Sequence, residues 1–156
     1  DKNCGAIVRA QAHNIDCKIV DKKQIGSKFF YVLENAIPMN TDLVVLAGFM
    51  PILPRWFCDK WQWKIINTHP SLLPRHGGIG MYGVHVQEAV LADGDLFAGC
   101  TVHFVSSEID GGVIIAQSMI PVYPSESPWD LGGRVFAEEV KLLPSVIEKI
   151  MRGRTT

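Results

Sequence analysis

Long apolar runs are missing from this sequence of 156 residues. No segment approaches the roughly eighteen consecutive apolar residues of a membrane-spanning helix, so we expect no contact with a membrane interior. Charge of one sign is also scarce, because 15 Lys and Arg residues against 16 Asp and Glu residues give a formal net charge of −1. A nearly neutral chain has no overall field to attract nucleic acid or an acidic membrane surface. We therefore expect neither as a partner.

Paired cysteines are absent as well. The four cysteines, Cys4, Cys17, Cys58 and Cys100, are scattered and form no C-x-x-C pair of the kind found in zinc and redox motifs. The chain opens on the polar Asp1-Lys2-Asn3 and not on the apolar stretch of a secretory signal peptide. We expect reduced, mostly buried thiols in a cytoplasmic protein.

What the sequence does contain is apolar residues in short periodic segments. They make up 47% of the chain, which suits one globular domain over residues 1–156. Helical spacing occurs over residues 5–14, 27–37, 84–91 and 128–151, and a short helical turn is expected within 50–61. Strand patterns occur over residues 17–20, 42–47, 64–67, 101–105 and 113–122. This order predicts an α/β fold with a mostly parallel sheet and a late antiparallel strand.

Several familiar motifs do not fit their required context. Gly78-Ile-Gly-Met-Tyr-Gly83 spells a dinucleotide fingerprint, but a proline-rich loop separates it from the preceding strand. The histidines at 69, 76, 85 and 103 lack the spacing of paired metal ligands, so no metal site is predicted. Ser71 does not lie in a nucleophile elbow.

Asn67 and His69 form the most informative pair. They follow an apolar strand, at the strand end where ligands bind in such sheets, and their alternate spacing places both side chains on one side. An amide donor beside an imidazole suits stabilisation of an oxyanion. Pro70 and Pro74 restrict the loop that follows. Asp110 is the candidate acid, although an aspartate in a turn is as often a simple turn residue.

Four segments then resemble a known family. They are Leu46-Ala-Gly-Phe-Met50, Ile66-Asn-Thr-His-Pro-Ser-Leu-Leu-Pro74, Thr101-Val-His-Phe-Val105 and Ile109-Asp-Gly-Gly112. In this order they resemble the phosphoribosylglycinamide formyltransferases over essentially the whole chain. The resemblance implies a Rossmann-like three-layer fold and formyl transfer from 10-formyltetrahydrofolate to the amine of glycinamide ribonucleotide in purine synthesis. It implies the folate as a co-substrate, with no metal and no tightly bound cofactor.

The resemblance also implies roles for individual residues. Asn67, His69 and Asp110 correspond to the catalytic set, in which Asn67 and a protonated His69 bind the oxyanion. Substrate-binding residues implied in the same way are Leu46, Phe49, Met50, Ile52, Leu53, Pro70, Val105 and Glu139. Glu139 corresponds to the residue that meets the ribose hydroxyls, and the apolar members could equally be plain core.

Two departures from the family pattern stand out. Pro51 occupies the position where the family usually has an arginine, so one polar contact to folate is missing. Residues 1–3 match a point after the family's opening strand, Gly-rich phosphate loop, helix and second strand. The sequence therefore suggests an N-terminally truncated domain with weak ribonucleotide binding. We also expect a homo-oligomer, or a second segment, beside residues 42–47.

Other readings stay open. Methionyl-tRNA formyltransferase shares the Ser71-Leu-Leu-Pro-Arg75 stretch but needs an additional basic domain for tRNA. Formyltetrahydrofolate deformylase typically has histidine in place of Pro70. The alternative that is not an enzyme is a non-catalytic fragment that binds folate.

Overall fold

The computed structural model describes residues 4–153. The chain divides between Asp42 and Leu43 into two compact units, and each is described by itself. A single domain over residues 1–156 stays a prediction.

The first unit is helical. It contains α1 (Gly5–Ala12), α2 (Lys22–Ile25), a 3₁₀ turn (Gly26–Lys28) and α3 (Phe29–Ala36). The Asp21 carboxylate begins α2 by accepting the backbone N–H of Lys23 at 3.0 Å, an N-cap that the sequence analysis missed. The predicted strand over residues 17–20 is wrong, because that segment forms no ladder with any described strand. A strand needs a second strand to pair with, and the local sequence does not show whether one lies beside it.

The second unit is a four-stranded sheet with helices. Its strands are β1 (Val44–Leu46), β2 (Ile65–His69), β3 (Phe97–Phe104) and β4 (Ile114–Pro121), and they lie in the order β1-β2-β3-β4. Its helices are α4 (Arg55–Lys60), α5 (Val84–Ala92) and α6 (Pro128–Gly153). Each of these strands and helices was predicted within a few residues. Among the described helices, none is both long enough and apolar enough to cross a membrane.

The strand directions correct one part of the predicted fold. The α/β class and the late antiparallel strand are confirmed, but among the strands of residues 4–153 only β1–β2 is a parallel pair, and β2–β3 and β3–β4 are antiparallel. The connection through α5 brings the chain back to the end of the sheet where β2 finishes. Asp95, just before β3, bonds to Arg75 and His76 in the loop that leaves β2, so β3 starts beside the end of β2 and runs back along it.

Helix α6 covers the sheet. Its buried side chains Leu131 and Val135 pack with Ala98 and Cys100 of β3, and Val146 packs with Ile66 and Val102. The helix begins with Pro128, as predicted, where Ser127 accepts the backbone N–H of Asp130. This packing fixes β3 against β2, and the register then pairs Asn67 with His103 and His69 with Thr101.

Candidate active site

Asn67 and His69 lie on the last residues of β2, as the sequence predicted. Asp110 belongs to the turn between β3 and β4, where its φ of 54° lies in the left-handed region that aspartate tolerates better than most residues. The fold brings Asp110 against His69: Oδ2 lies 3.5 Å from Nδ1, and both groups are largely buried. Asn67 is linked to Asp110 through His103, whose Nε2 lies 3.3 Å from the Asn67 amide and 3.9 Å from Asp110 Oδ1. The candidate acid therefore lies beside His69 at the carboxyl end of β2.

The imidazole of His69 is held at both nitrogens. Its side chain is 5% exposed. Nδ1 faces the Asp110 carboxylate at 3.5 Å, and Nε2 lies 2.8 Å from the backbone carbonyl of His76. A neutral ring carries one N–H and can satisfy one of these acceptors, whereas an imidazolium satisfies both.

Asn67 is oriented by His103, a residue that the sequence analysis did not select. His103 Nδ1 lies 2.9 Å from the carbonyl of Phe104, which can only accept, so Nδ1 carries the proton. Burial lowers the pKa of His103 and favours the neutral ring. Its Nε2 is therefore an acceptor for the Asn67 amide at 3.3 Å, which fixes the Asn67 NH₂ group on that side.

The Asp110 carboxylate has two contacts besides that with His69. Its Oδ2 accepts the backbone N–H of Gly78 at 2.9 Å, and its Oδ1 lies 3.9 Å from His103 Nε2. The neighbouring Gly112 passes so close to the strand that an added Cβ would fall on the carbonyl oxygen of Phe104. The Gly-Gly pair after Asp110 therefore allows the turn to fold back tightly enough to aim the carboxylate at His69.

The loop after β2 is anchored from the sheet. Thr101 Oγ1 donates to the Ser71 carbonyl at 2.7 Å and accepts the N–H of Leu73 at 3.1 Å. Gln117 Nε2 bonds both Thr101 Oγ1 and the Leu73 carbonyl at 2.9 Å. Sequence reasoning missed Thr101 and Gln117, because only the strand register places them under this loop.

The predicted substrate-binding residues are spread over several environments. Leu46 ends β1, and Phe49, Pro70 and Val105 are half-buried. Met50 and Ile52 are exposed, at 62% and 64%, while Leu53 is 8% exposed and lies in the core.

Glu139 and Pro70 are brought together. They line a cavity of about 450 Å³, whose walls also include Gln87 from α5 and Trp129 and Phe136 from α6. Gln87 holds one wall in place by donating to the Pro70 carbonyl at 2.8 Å.

Within residues 4–153, no group of three or more His, Cys, Asp and Glu side chains has the arrangement of a metal site. The cysteines divide evenly, since Cys58 and Cys100 are buried while Cys4 and Cys17 are exposed. The prediction of mostly buried thiols is thus right for half of them.

Comparison with known proteins agrees with this fold. The family described as formyl transferase matches residues 1–147 of this chain. The phosphoribosylglycinamide formyltransferase of Haemophilus influenzae is 42% identical over 95% of this chain and 69% of its own length. The chloroplastic enzyme of that name from Arabidopsis thaliana is 34% identical over 98% of this chain and 54% of its own length. A solved phosphoribosylglycinamide formyltransferase from Coxiella burnetii has a TM-score of 0.87 and 32% identity, covering 99% of this chain and 72% of that one.

The chain belongs to the formyl transferase family, and the resemblance noted from its four segments is confirmed. It spans between about half and three quarters of the length of these three relatives.

Proposed function

We propose that this protein transfers a formyl group from 10-formyltetrahydrofolate to the amine of glycinamide ribonucleotide, a step of purine biosynthesis. The observation that supports this most strongly is the convergence of Asn67, His69 and Asp110 at the end of β2. The names of the relatives describe formyl transfer to the same acceptor.

The reaction makes one bond and breaks one. The amine lone pair attacks the formyl carbon, and the carbonyl oxygen becomes an alkoxide in a tetrahedral intermediate. Collapse of this intermediate breaks the bond between the formyl carbon and N10 of the folate. The amine loses one proton, N10 gains one, and no oxidant or metal enters the balance.

Asn67 supplies the first donor to the oxyanion. One N–H of its amide is directed at His103, and among residues 4–153 the amide has no other hydrogen-bond partner. The second N–H can therefore point toward the substrate. Because His103 holds the amide in place, no reorganisation of Asn67 is needed as charge develops.

His69 and Asp110 handle charge and protons. An imidazolium at His69 places a positive charge beside the alkoxide, and the Asp110 carboxylate stabilises that charge from Nδ1. Because the His76 carbonyl occupies Nε2 at 2.8 Å, His69 acts on the alkoxide through its positive charge, and Asn67 supplies the N–H donor. The same pair can carry the amine proton toward N10.

The two substrates occupy different surfaces. The folate lies along the segment from Leu46 to Leu53 and near Val105, where the exposed Met50 and Ile52 offer apolar area. The ribonucleotide lies in the cavity of Pro70 and Glu139, whose carboxylate can accept hydrogen bonds from ribose hydroxyls. A cytoplasmic location and a homo-oligomer stay predictions.

A product assay tests the proposal. The chain is mixed with glycinamide ribonucleotide and 10-formyltetrahydrofolate carrying a ¹³C-labelled formyl group, and mass spectrometry follows both products. We expect label in the ribonucleotide, dependent on the chain. Label appearing only as free formate would identify a deformylase, and label in neither product would contradict transfer.

A further inference from the structure

His76 has an unusual conformation and two separate contacts. Its φ of 52° places a residue other than glycine in the left-handed region, which the surroundings must stabilise. Its side chain is only 8% exposed. The backbone carbonyl of this residue is the group that meets Nε2 of the candidate catalytic His69 at 2.8 Å.

The ring of His76 is fixed by Asp95. Its Nε2 lies 2.7 Å from Asp95 Oδ2, the distance of a strong hydrogen bond to a charged acceptor. The other carboxylate oxygen, Oδ1, accepts from Arg75 at 2.7 Å. The backbone N–H of Asp95 donates to the carbonyl of Val90, which fixes Asp95 in the connection between α5 and β3.

The segment from His76 to Gly78 supports both partners of the candidate catalytic pair. The His76 carbonyl meets His69, and the Gly78 N–H meets Asp110 Oδ2. Between them, a Cβ added to Gly77 would approach the Asp110 Cβ to 3.3 Å and collide with Leu73. Displacing this segment would therefore disturb His69 and Asp110 together.

We propose that His76 and Asp95 are positioning residues for His69. The Asp95 carboxylate holds the His76 ring, the ring holds the left-handed backbone at residue 76, and the carbonyl there directs the Nε2–H of His69. The catalytic consequence rests on the proposed function, whereas the structural claim does not. Neither residue touches the reacting atoms in this scheme, and both act by fixing the orientation of the imidazole.

Nitrogen-15 NMR of the histidine side chains tests the structural claim without any substrate. The His69 signals are identified in the whole chain by their loss in His69→Gln. We expect a hydrogen-bonded Nε2–H on His69 in the parent protein. In His76→Gly, which keeps a residue suited to positive φ but removes the ring, we expect that proton to exchange with water about tenfold faster, as for loss of one hydrogen bond.

Asp95→Ala should have the same effect on the His69 proton, because it removes the anchor while leaving residue 76 unchanged. Asp93→Asn is the matched control, since Asp93 also meets Arg75, at 3.5 Å, but has no contact with His76 among the described residues. Thermal unfolding of each variant is measured to check that it is folded at the temperature of the NMR experiment. An Nε2–H that keeps the parent exchange rate in both His76→Gly and Asp95→Ala would overturn the proposal.

Kinetics separate positioning from general stability. For a positioning role, His76→Gly and Asp95→Ala lower kcat for formyl transfer and leave KM for the folate near the parent value. Equal kcat in parent and variants would overturn the catalytic part. Absence of transfer in the parent itself would count against the proposed function, while the NMR result would still decide the structural claim.

Discussion

The carboxylate of Asp110 lies 3.5 Å from Nδ1 of His69, and the backbone N–H of Gly78 holds its Oδ2 in that position at 2.9 Å. This relationship distinguishes Asp110 from an ordinary turn residue, because its side chain is directed across the site and not at its own backbone.

Asp110→Asn should lower kcat for formyl transfer, because a neutral amide no longer stabilises an imidazolium at His69. Asp59→Asn is the control, because Asp59 is an exposed carboxylate paired only with Arg55 on α4 among the described contacts. Normal turnover in Asp110→Asn would return Asp110 to the role of a turn residue.

His103 should make the stability of the fold depend on pH. Its burial lowers its pKa, whereas in the unfolded chain an imidazole titrates near pH 6.5. Below that pH the unfolded state binds more protons than the folded state, so the free energy of unfolding decreases as the pH falls. Urea unfolding at a series of pH values should show a shallower decrease for His103→Gln. Parallel curves would show that His103 accepts a proton as readily in the folded state.

Gly112→Ala should destabilise the fold by about 1–3 kcal/mol or more, because the added methyl group would collide with the Phe104 carbonyl. Gly133→Ala is the control: a Cβ there meets nothing within 4 Å, and the helical position favours alanine by about 1 kcal/mol. Thermal unfolding should therefore move the two melting temperatures in opposite directions. A Gly112→Ala protein as stable as the parent would show that the turn before β4 can relax.

Two of the four thiols should react with a thiol reagent in the folded protein. Cys4 and Cys17 are exposed, while burial raises the pKa of Cys58 and raises that of Cys100 to about 11. Titration with an aromatic disulfide should count two fast thiols in buffer and four in denaturant. In the double variant Cys4→Ser/Cys17→Ser the fast phase should disappear, and its persistence would place Cys58 or Cys100 in contact with solvent.

The sequence pattern predicted most of the helices and strands of the second unit, because apolar alternation and helical spacing involve residues that are close together in the sequence. It also selected Asn67 and His69, whose alternate spacing on β2 puts them on one face. The direction of β3 could not be predicted, since it depends on where the connection through α5 returns the chain. The contacts of Asp95 with Arg75 and His76 show that it returns beside the end of β2.

The supporting residues of the site were beyond sequence reasoning for the same reason. His103 and Thr101 face Asn67 and His69 only through the register of β2 and β3, which no local pattern states. The segment over residues 17–20 shows the opposite error, because it has a strand's composition but no strand beside it among the described residues.

The most direct test of the catalytic assignment compares formyl transfer by His69→Ala with that by His85→Ala. His85 is the matched control, an exposed histidine on α5 that pairs with Glu88. The account predicts that His69→Ala lowers kcat by about 10²–10³, the usual cost of losing one group that stabilises the oxyanion, while affinity for a folate analogue is unchanged. His85→Ala should retain the parent kcat. A His69→Ala protein with parent turnover would contradict the assignment of Asn67, His69 and Asp110 as the catalytic set.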